Sequence, residues 1–153
     1  MVWKRRVVGG ALVIALGVVA TWEGYSEKTY LDPVGIPTVC YGHTEKSLVV
    51  GQEFSFDACH KLLTHDLIVA SNAFDRLVKV PVEDNVKAAM VSFIYNVGAE
   101  NFRKSTMLKL LNDGKIELAC HELPRWVYAK GKRLKGLENR RKAEMELCLG
   151  TVN

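Results

Sequence analysis

The chain has 153 residues, 48% of them apolar and 25% charged, with a mean hydropathy of +0.02. That length holds one domain of ordinary size, and that composition excludes a disordered chain, a collagen-like or low-complexity repeat and a multi-span membrane protein. The net charge of +4 is unevenly spread: +3 over residues 1–6, −4 over 7–124, +7 over 125–142 and −2 over 143–153.

Lys4, Arg5 and Arg6 precede an uncharged run from Val7 to Trp22. As a helix this run is about 24 Å long, against a bilayer core of about 30 Å. Gly9, Gly10 and Gly17 interrupt it and alanines dilute it, so insertion into a membrane is only weakly favourable. Three readings compete: a buried core helix, a signal peptide cleaved after Ala20, and an uncleaved signal anchor. The basic flank matches an export signal and stays cytoplasmic, which favours the anchor. The expected division is an anchor over 1–22 and an exported domain over 23–153.

Cys40, Cys59, Cys120 and Cys148 make an even set, as expected of disulfides in an oxidising compartment. Four cysteines allow three pairings. The two local bridges, Cys40–Cys59 and Cys120–Cys148, are favoured, each stabilising by roughly 3 kcal/mol. No C-x-x-C occurs and His60 and His65 lack zinc-helix spacing, so no metal is expected.

From Thr29 to Thr44, Pro33, Gly35, Pro37 and Gly42 alternate with β-forming residues, which predicts a short hairpin or small sheet. Helical spacing follows over Cys59, Leu62, Leu63, Leu67 and Ala70, and again over Val86, Ala89, Met90, Phe93, Ile94 and Val97, with Gly98 as a stop. Met107 to Leu111, Ile116 to Val127 and Leu137 to Leu149 complete the set, with Pro124 bending or ending the second of these. The fold class is α+β and mostly helical: a small β lobe, then a larger helical lobe.

Chemistry concentrates just after the apolar run. Glu23 stands nine residues before Asp32, and Thr38 follows six later. Glycoside hydrolysis needs one carboxylic acid to protonate the leaving oxygen and a second, ionised carboxylate. A carboxyl at the end of an apolar helix beside Trp22 suits the first role, and Asp32 in a wetter turn suits the second. Taken alone, two such carboxylates are more often solvated surface groups.

The run Glu23-Gly24 … Asp32 … Gly35 … Thr38-Val39-Cys40-Tyr41-Gly42-His43-Thr44 resembles the active-site segment of phage-type lysozymes. Phe93 to Gly98, Asn101 to Thr106, Arg125-Trp126 and Gly136 to Arg141 are similar to that family's later segments, so the resemblance spans about 22–149. Within the family the chain looks most like exported endolysins with an N-terminal signal-anchor-release segment. The resemblance implies a lysozyme-like fold and a muramidase that cuts the β-1,4 bond between N-acetylmuramic acid and N-acetylglucosamine in peptidoglycan, with no cofactor. Glu23 would be the general acid, Asp32 would activate or position water, and Thr38 would orient that water. Inversion is the family expectation.

Further expectations follow from matching positions. His43 and Asp66 would form a structural ion pair. Arg140 would approach Glu23; because a guanidinium favours a carboxylate, it is read as holding Glu23 in place. Asn96 would line the glycan cleft, and Trp126 would be core. The basic stretch 125–142 would meet an anionic wall polymer or phospholipid rather than nucleic acid, since the protein is exported. It would be a monomer held in the inner membrane, its catalytic domain periplasmic, and then released to the periplasm. Because only Trp22 separates the run from Glu23, the anchored form would be poorly active. No cysteine lies in residues 1–39, so a thiol switch from the anchor is not expected. The rival functions are a lytic transglycosylase and a non-catalytic, membrane-anchored wall-binding protein.

Overall fold

The computed structural model describes residues 2–151, with side chains described from residue 9 onward. Seven α-helices, one 3₁₀ turn and two small antiparallel sheets are present among them. Helix α1 (Val2–Trp22) leads into a three-stranded sheet of β1 (Ser26–Leu31), β2 (Pro37–Cys40) and β3 (His43–Thr44). Helices α2 (Phe56–Leu77), α3 (Asp84–Val97), α4 (Ala99–Arg103), α5 (Thr106–Asn112) and α6 (Ile116–Glu122) follow. The 3₁₀ turn Leu123–Arg125, a hairpin of β4 (Tyr128–Ala129) and β5 (Lys132–Arg133), and α7 (Lys135–Leu149) close the chain.

The helical periodicities read from sequence lie inside α2, α3 and α7, and α6 gives way to the 3₁₀ turn at Pro124. Local capping sets two helix starts. Ser55 accepts a hydrogen bond from the Ala58 amide, and Ser105 accepts one from Leu108, satisfying donors that helix starts leave open. Residue periodicity alone marked neither α4 nor the β4–β5 hairpin. The hairpin turns at Lys130-Gly131, where both residues take positive φ.

Two cores hold the molecule. The larger draws on all seven α-helices and the 3₁₀ turn, around fully buried Phe93, Phe102, Met90, Met107, Leu111 and Leu123. The smaller, under the β sheet, joins Val39, Cys40, Leu48 and Cys59. The Cys40–Cys59 bond fastens β2 to α2, and the Cys120–Cys148 bond fastens α6 to α7.

Helix α1 belongs to the larger core. Ala11, Ala15 and Val19 recur every four residues on one face and are buried, with α1 lying against α3. Where it passes the start of α3 it comes close: a Cβ on Gly10 would stand 2.6 Å from the Asp84 carboxylate. The opposite face is open, with Val13 73% exposed. Among the described residues no helix is long and apolar enough to cross a membrane. In this structure the described part of α1 packs in the core through its Ala11, Ala15 and Val19 face. The basic cluster Lys4–Arg6 lies outside the residues whose side chains are described.

Candidate active site

Glu23 is set by the end of α1. Its amide donates to the carbonyl of buried Val19 at 2.8 Å, so packing of α1 fixes where the Glu23 backbone stands. Its side chain is 19% exposed and reaches the junction of the two lobes. There Arg140 Nη1, from α7, donates to Oε1 at 2.5 Å. The other oxygen, Oε2, lies over Gly42 at the end of the β sheet; a Cβ on Gly42 would come within 2.9 Å of it. Gly42 has φ +73°, a conformation that glycine takes at little cost, so both its backbone and its bareness suit the carboxylate. Arg140, expected to approach Glu23 and hold it, is 4% exposed and also donates to Glu144 and to the Ser92 carbonyl.

Asp32 begins the β1–β2 turn. Its Oδ1 accepts from the amides of Val34 at 2.8 Å and Ile36 at 2.9 Å, and its backbone closes the turn with Ile36 and Gly35. Pairing of Tyr30 with Thr38 and of Leu31 with Pro37 sets Thr38 beside this turn. The buried Thr38 hydroxyl donates to the Ile36 carbonyl at 2.9 Å, which leaves its oxygen free to accept. Ile36 thus ties Asp32 and Thr38 together through one residue's amide and carbonyl. Both remaining acceptors, Asp32 Oδ2 and Thr38 Oγ1, are of the kind a water can donate to.

His43 Nδ1 and Asp66 Oδ2 meet at 2.6 Å, between β3 and α2, and the Tyr95 hydroxyl donates to the Tyr41 carbonyl. Burial is the first cause that pushes the Tyr95 phenol well above its ordinary range, with the Glu23 carboxylate adding to it. Beneath Gly42 a cavity of about 320 Å³ is lined by His43, Thr44, Asp66, Ile94 and Tyr95, among others. Asn96 is exposed at the end of α3, with its carbonyl oxygen accepting from Arg141 and its amide nitrogen open. Trp126 is partly buried, edge-on to Phe93 with ring centres 5.2 Å apart, a packing role. No cluster of three or more His, Cys, Asp or Glu able to hold a metal occurs among the described residues.

The basic stretch divides. Arg125 pairs with Glu122, Arg133 and Lys135 pair with Glu138, and Arg140 and Arg141 are buried. Only part of the +7 stretch is therefore free surface charge. Sequence reading also missed a buried set behind Glu23: Ser92 on α3 with Arg141 and Glu144 on α7. The Arg140–Glu144 spacing of four and the Arg141–Glu144 spacing of three on one helix were the signs of it.

The sequence model of the phage lysozyme family matches residues 20–144. The chain is 42% identical over 149 residues to the SAR-endolysin of Bacteriophage PS119, covering 94% of this chain and 89% of that one. A P22 lysozyme mutant superposes with a TM-score of 0.78 at 34% identity, covering 88% of this chain and 94% of that one. The active form of the P1 phage endolysin Lyz superposes with a TM-score of 0.80 at 25% identity, over 92% of this chain and 85% of that one. Its secreted inactive form reaches 0.55 at 24% identity, over 71% and 78%. The match over 125 consecutive residues and the shared fold agree, and the chain belongs to the phage lysozyme family.

Proposed function

We propose that this enzyme is an endolysin muramidase, a glycoside hydrolase that cuts peptidoglycan between N-acetylmuramic acid and N-acetylglucosamine, with Glu23, Asp32 and Thr38 as its catalytic residues. One observation carries the reading: the Glu23 carboxylate stands where the β lobe meets the helical lobe, one oxygen held by Arg140 and the other free of hydrogen bonds above Gly42. The free oxygen, Oε2, is the one able to carry a proton to the glycosidic oxygen. As the C1–O bond breaks, positive charge develops at C1 and the ring oxygen, and an ionised Asp32 stabilises it. A water donating to Asp32 Oδ2 and Thr38 Oγ1 attacks C1. Its proton passes to Asp32, and Glu23 is left as a carboxylate facing the Arg140 guanidinium.

Asn96, with its amide nitrogen open, is assigned to the glycan cleft, while Arg140 serves the substrate indirectly by fixing Glu23. The His43–Asp66 pair holds the β lobe to α2. Residues 1–22 retain the chain at the inner membrane, catalytic domain outward, before release to the periplasm as a monomer. The name of the PS119 relative supports this, as does the apolar, basic-flanked segment. Glu23→Gln tests the assignment. The variant should keep its melting temperature and lose clearing of purified cell walls; retained clearing would refute the role of Glu23.

A further inference from the structure

Behind Glu23 the protein buries more charge than holding one carboxylate requires. Glu144 and Arg141 are 0% exposed and Arg140 is 4% exposed. Two adjacent guanidiniums from α7 thus share one buried carboxylate, and Glu23 is the next anion in reach. Arg140 distributes its donors: Nη1 to Glu23 Oε1 at 2.5 Å, Nη2 to the Ser92 carbonyl at 3.2 Å, and Nε to Glu144 Oε2 at 3.4 Å. Glu144 Oε2 also accepts from the Ser92 hydroxyl at 2.6 Å, and its Oε1 lies 3.1 Å from Arg141 Nη1. Arg141 donates to Asn96 and stacks 5.0 Å above the Phe93 ring. Such a network is costly to bury and is tolerated where its members fix one another.

We propose that Glu144 is a positioning residue for the reaction, holding Arg140 in the orientation that aims Glu23 and supplying the second negative charge that two guanidiniums require. This rests on the reading of Glu23 as the proton donor. Every group facing Glu144 is a donor: Arg140 Nε, Arg141 Nη1 and the Ser92 hydroxyl. Two of the three are guanidiniums, which can only donate and carry positive charge, so the ionised form is the one that fits. Burial raises the Glu144 carboxyl, with Arg141, Arg140 and Ser92 acting against that rise. Burial lowers the Arg141 guanidinium to about 10, which leaves it charged at neutral pH. The charged and titratable groups around Glu23 are Arg140 and Arg141 from α7 and Tyr95 from α3. Without the Glu144 charge, both guanidiniums would draw on Glu23 alone and favour its ionised, non-donating form.

The test compares Glu144→Gln, which keeps the shape and removes the charge, with Glu144→Asp, which keeps the charge. Hydrolysis of soluble glycan strands should show kcat reduced at least about tenfold in Glu144→Gln with KM within about twofold, because the glycan surface is untouched. The basic limb of its pH–rate profile should move to lower pH, whereas Glu144→Asp should keep the limb in place. Should Glu144→Gln fail to fold, Arg141→Met/Glu144→Leu replaces the pair with apolar groups of similar volume. If Glu144 only stabilises, that folded double variant regains wild-type kcat, and the proposal is overturned; a reduced kcat supports it, with the limb staying in place because the Arg141 charge has left together with that of Glu144. Failure of that variant to fold as well would show a structural role alone and would overturn the proposal too. Glu23→Gln is measured alongside. If it remains active, the reading of Glu23 fails; if it is inactive while Glu144→Gln matches wild type, only the present inference fails.

Discussion

Gly42→Ala isolates the contact between the β lobe and Glu23. At φ +73°, an alanine carries the left-handed penalty of about 1–2 kcal/mol. Its Cβ would also stand 2.9 Å from Glu23 Oε2 and 3.5 Å from the carboxyl carbon. An ordinary contact is near ~3.5 Å, so the oxygen must retreat by about 0.5 Å. Arg140 grips the other oxygen, so the carboxylate either pivots about Oε1 or gives up that bond. Misplacement by about 1 Å can cost about 10²-fold in rate, and half that displacement gives an expected loss of about tenfold in kcat. Melting should fall by about 2–8 °C for a chain of this size. The control is Gly114→Ala at the end of α5: it meets the same positive φ, +77°, with no atom within 4 Å of the added carbon. Melting by circular dichroism and clearing of purified walls, normalised to folded protein, should show similar stability losses but an activity loss in Gly42→Ala alone. Equal activity in the two variants would refute the seating of Glu23 on Gly42.

Three further outcomes are expected. Ala15→Leu crowds a fully buried position on α1 and should destabilise by about 1–3 kcal/mol in thermal unfolding, with a loss of activity beyond the unfolded fraction because α1 carries Glu23. Arg140→Met strips the buried partner from Glu144 and Glu23 and should cost about 3–5 kcal/mol in urea unfolding, against near-neutral cost for exposed Lys142→Met. In an ultraviolet titration Tyr25 should ionise only at about 12, since its hydroxyl donates to Glu27 and burial and that negative charge add to the rise; Glu27→Gln removes acceptor and charge and should bring ionisation down toward 10.0.

Much of the helical lobe was legible because buried side chains on α2 and α3 recur at helical spacing and their ends carry recognisable stops. The start of β1 was not, because Ser26, Glu27 and Lys28 are partly or fully exposed and carry no alternation of apolar residues. Nor was the β4–β5 hairpin, whose four strand residues are all exposed and whose basic character masked a turn at Lys130-Gly131. Helix α1 was ambiguous for a physical reason. The stripe of Ala11, Ala15 and Val19 suits lipid and protein interior alike, and composition does not choose between solvents.

The site divides in the same way. Glu23, Asp32 and Thr38 stood out through family spacing, and the Ile36 bridge shows how a short turn can couple the latter two. The contacts made by Glu23 could not be read. Arg140 is 117 residues away, and Ser92 and Glu144 are 52 apart, so no local pattern marks them. Buried charges also look like surface charges in a sequence, which is why Arg141 merged into the basic stretch 125–142. What distinguishes them is the opposing helix α3, whose Ser92 and Phe93 supply the polar and aromatic partners.

The central claim is that a proton donor at the tip of α1 works with a water held by the β1–β2 turn. The most direct measurement is mass spectrometry of the sugar ends released from purified peptidoglycan in oxygen-18 water. The account predicts reducing N-acetylmuramic acid ends carrying one labelled oxygen, absent in Glu23→Gln and strongly diminished in Asp32→Asn. Unlabelled anhydro ends, lighter by one water than hydrolysed ones, would contradict it, since they form by ring closure without the water that Asp32 and Thr38 are placed to hold.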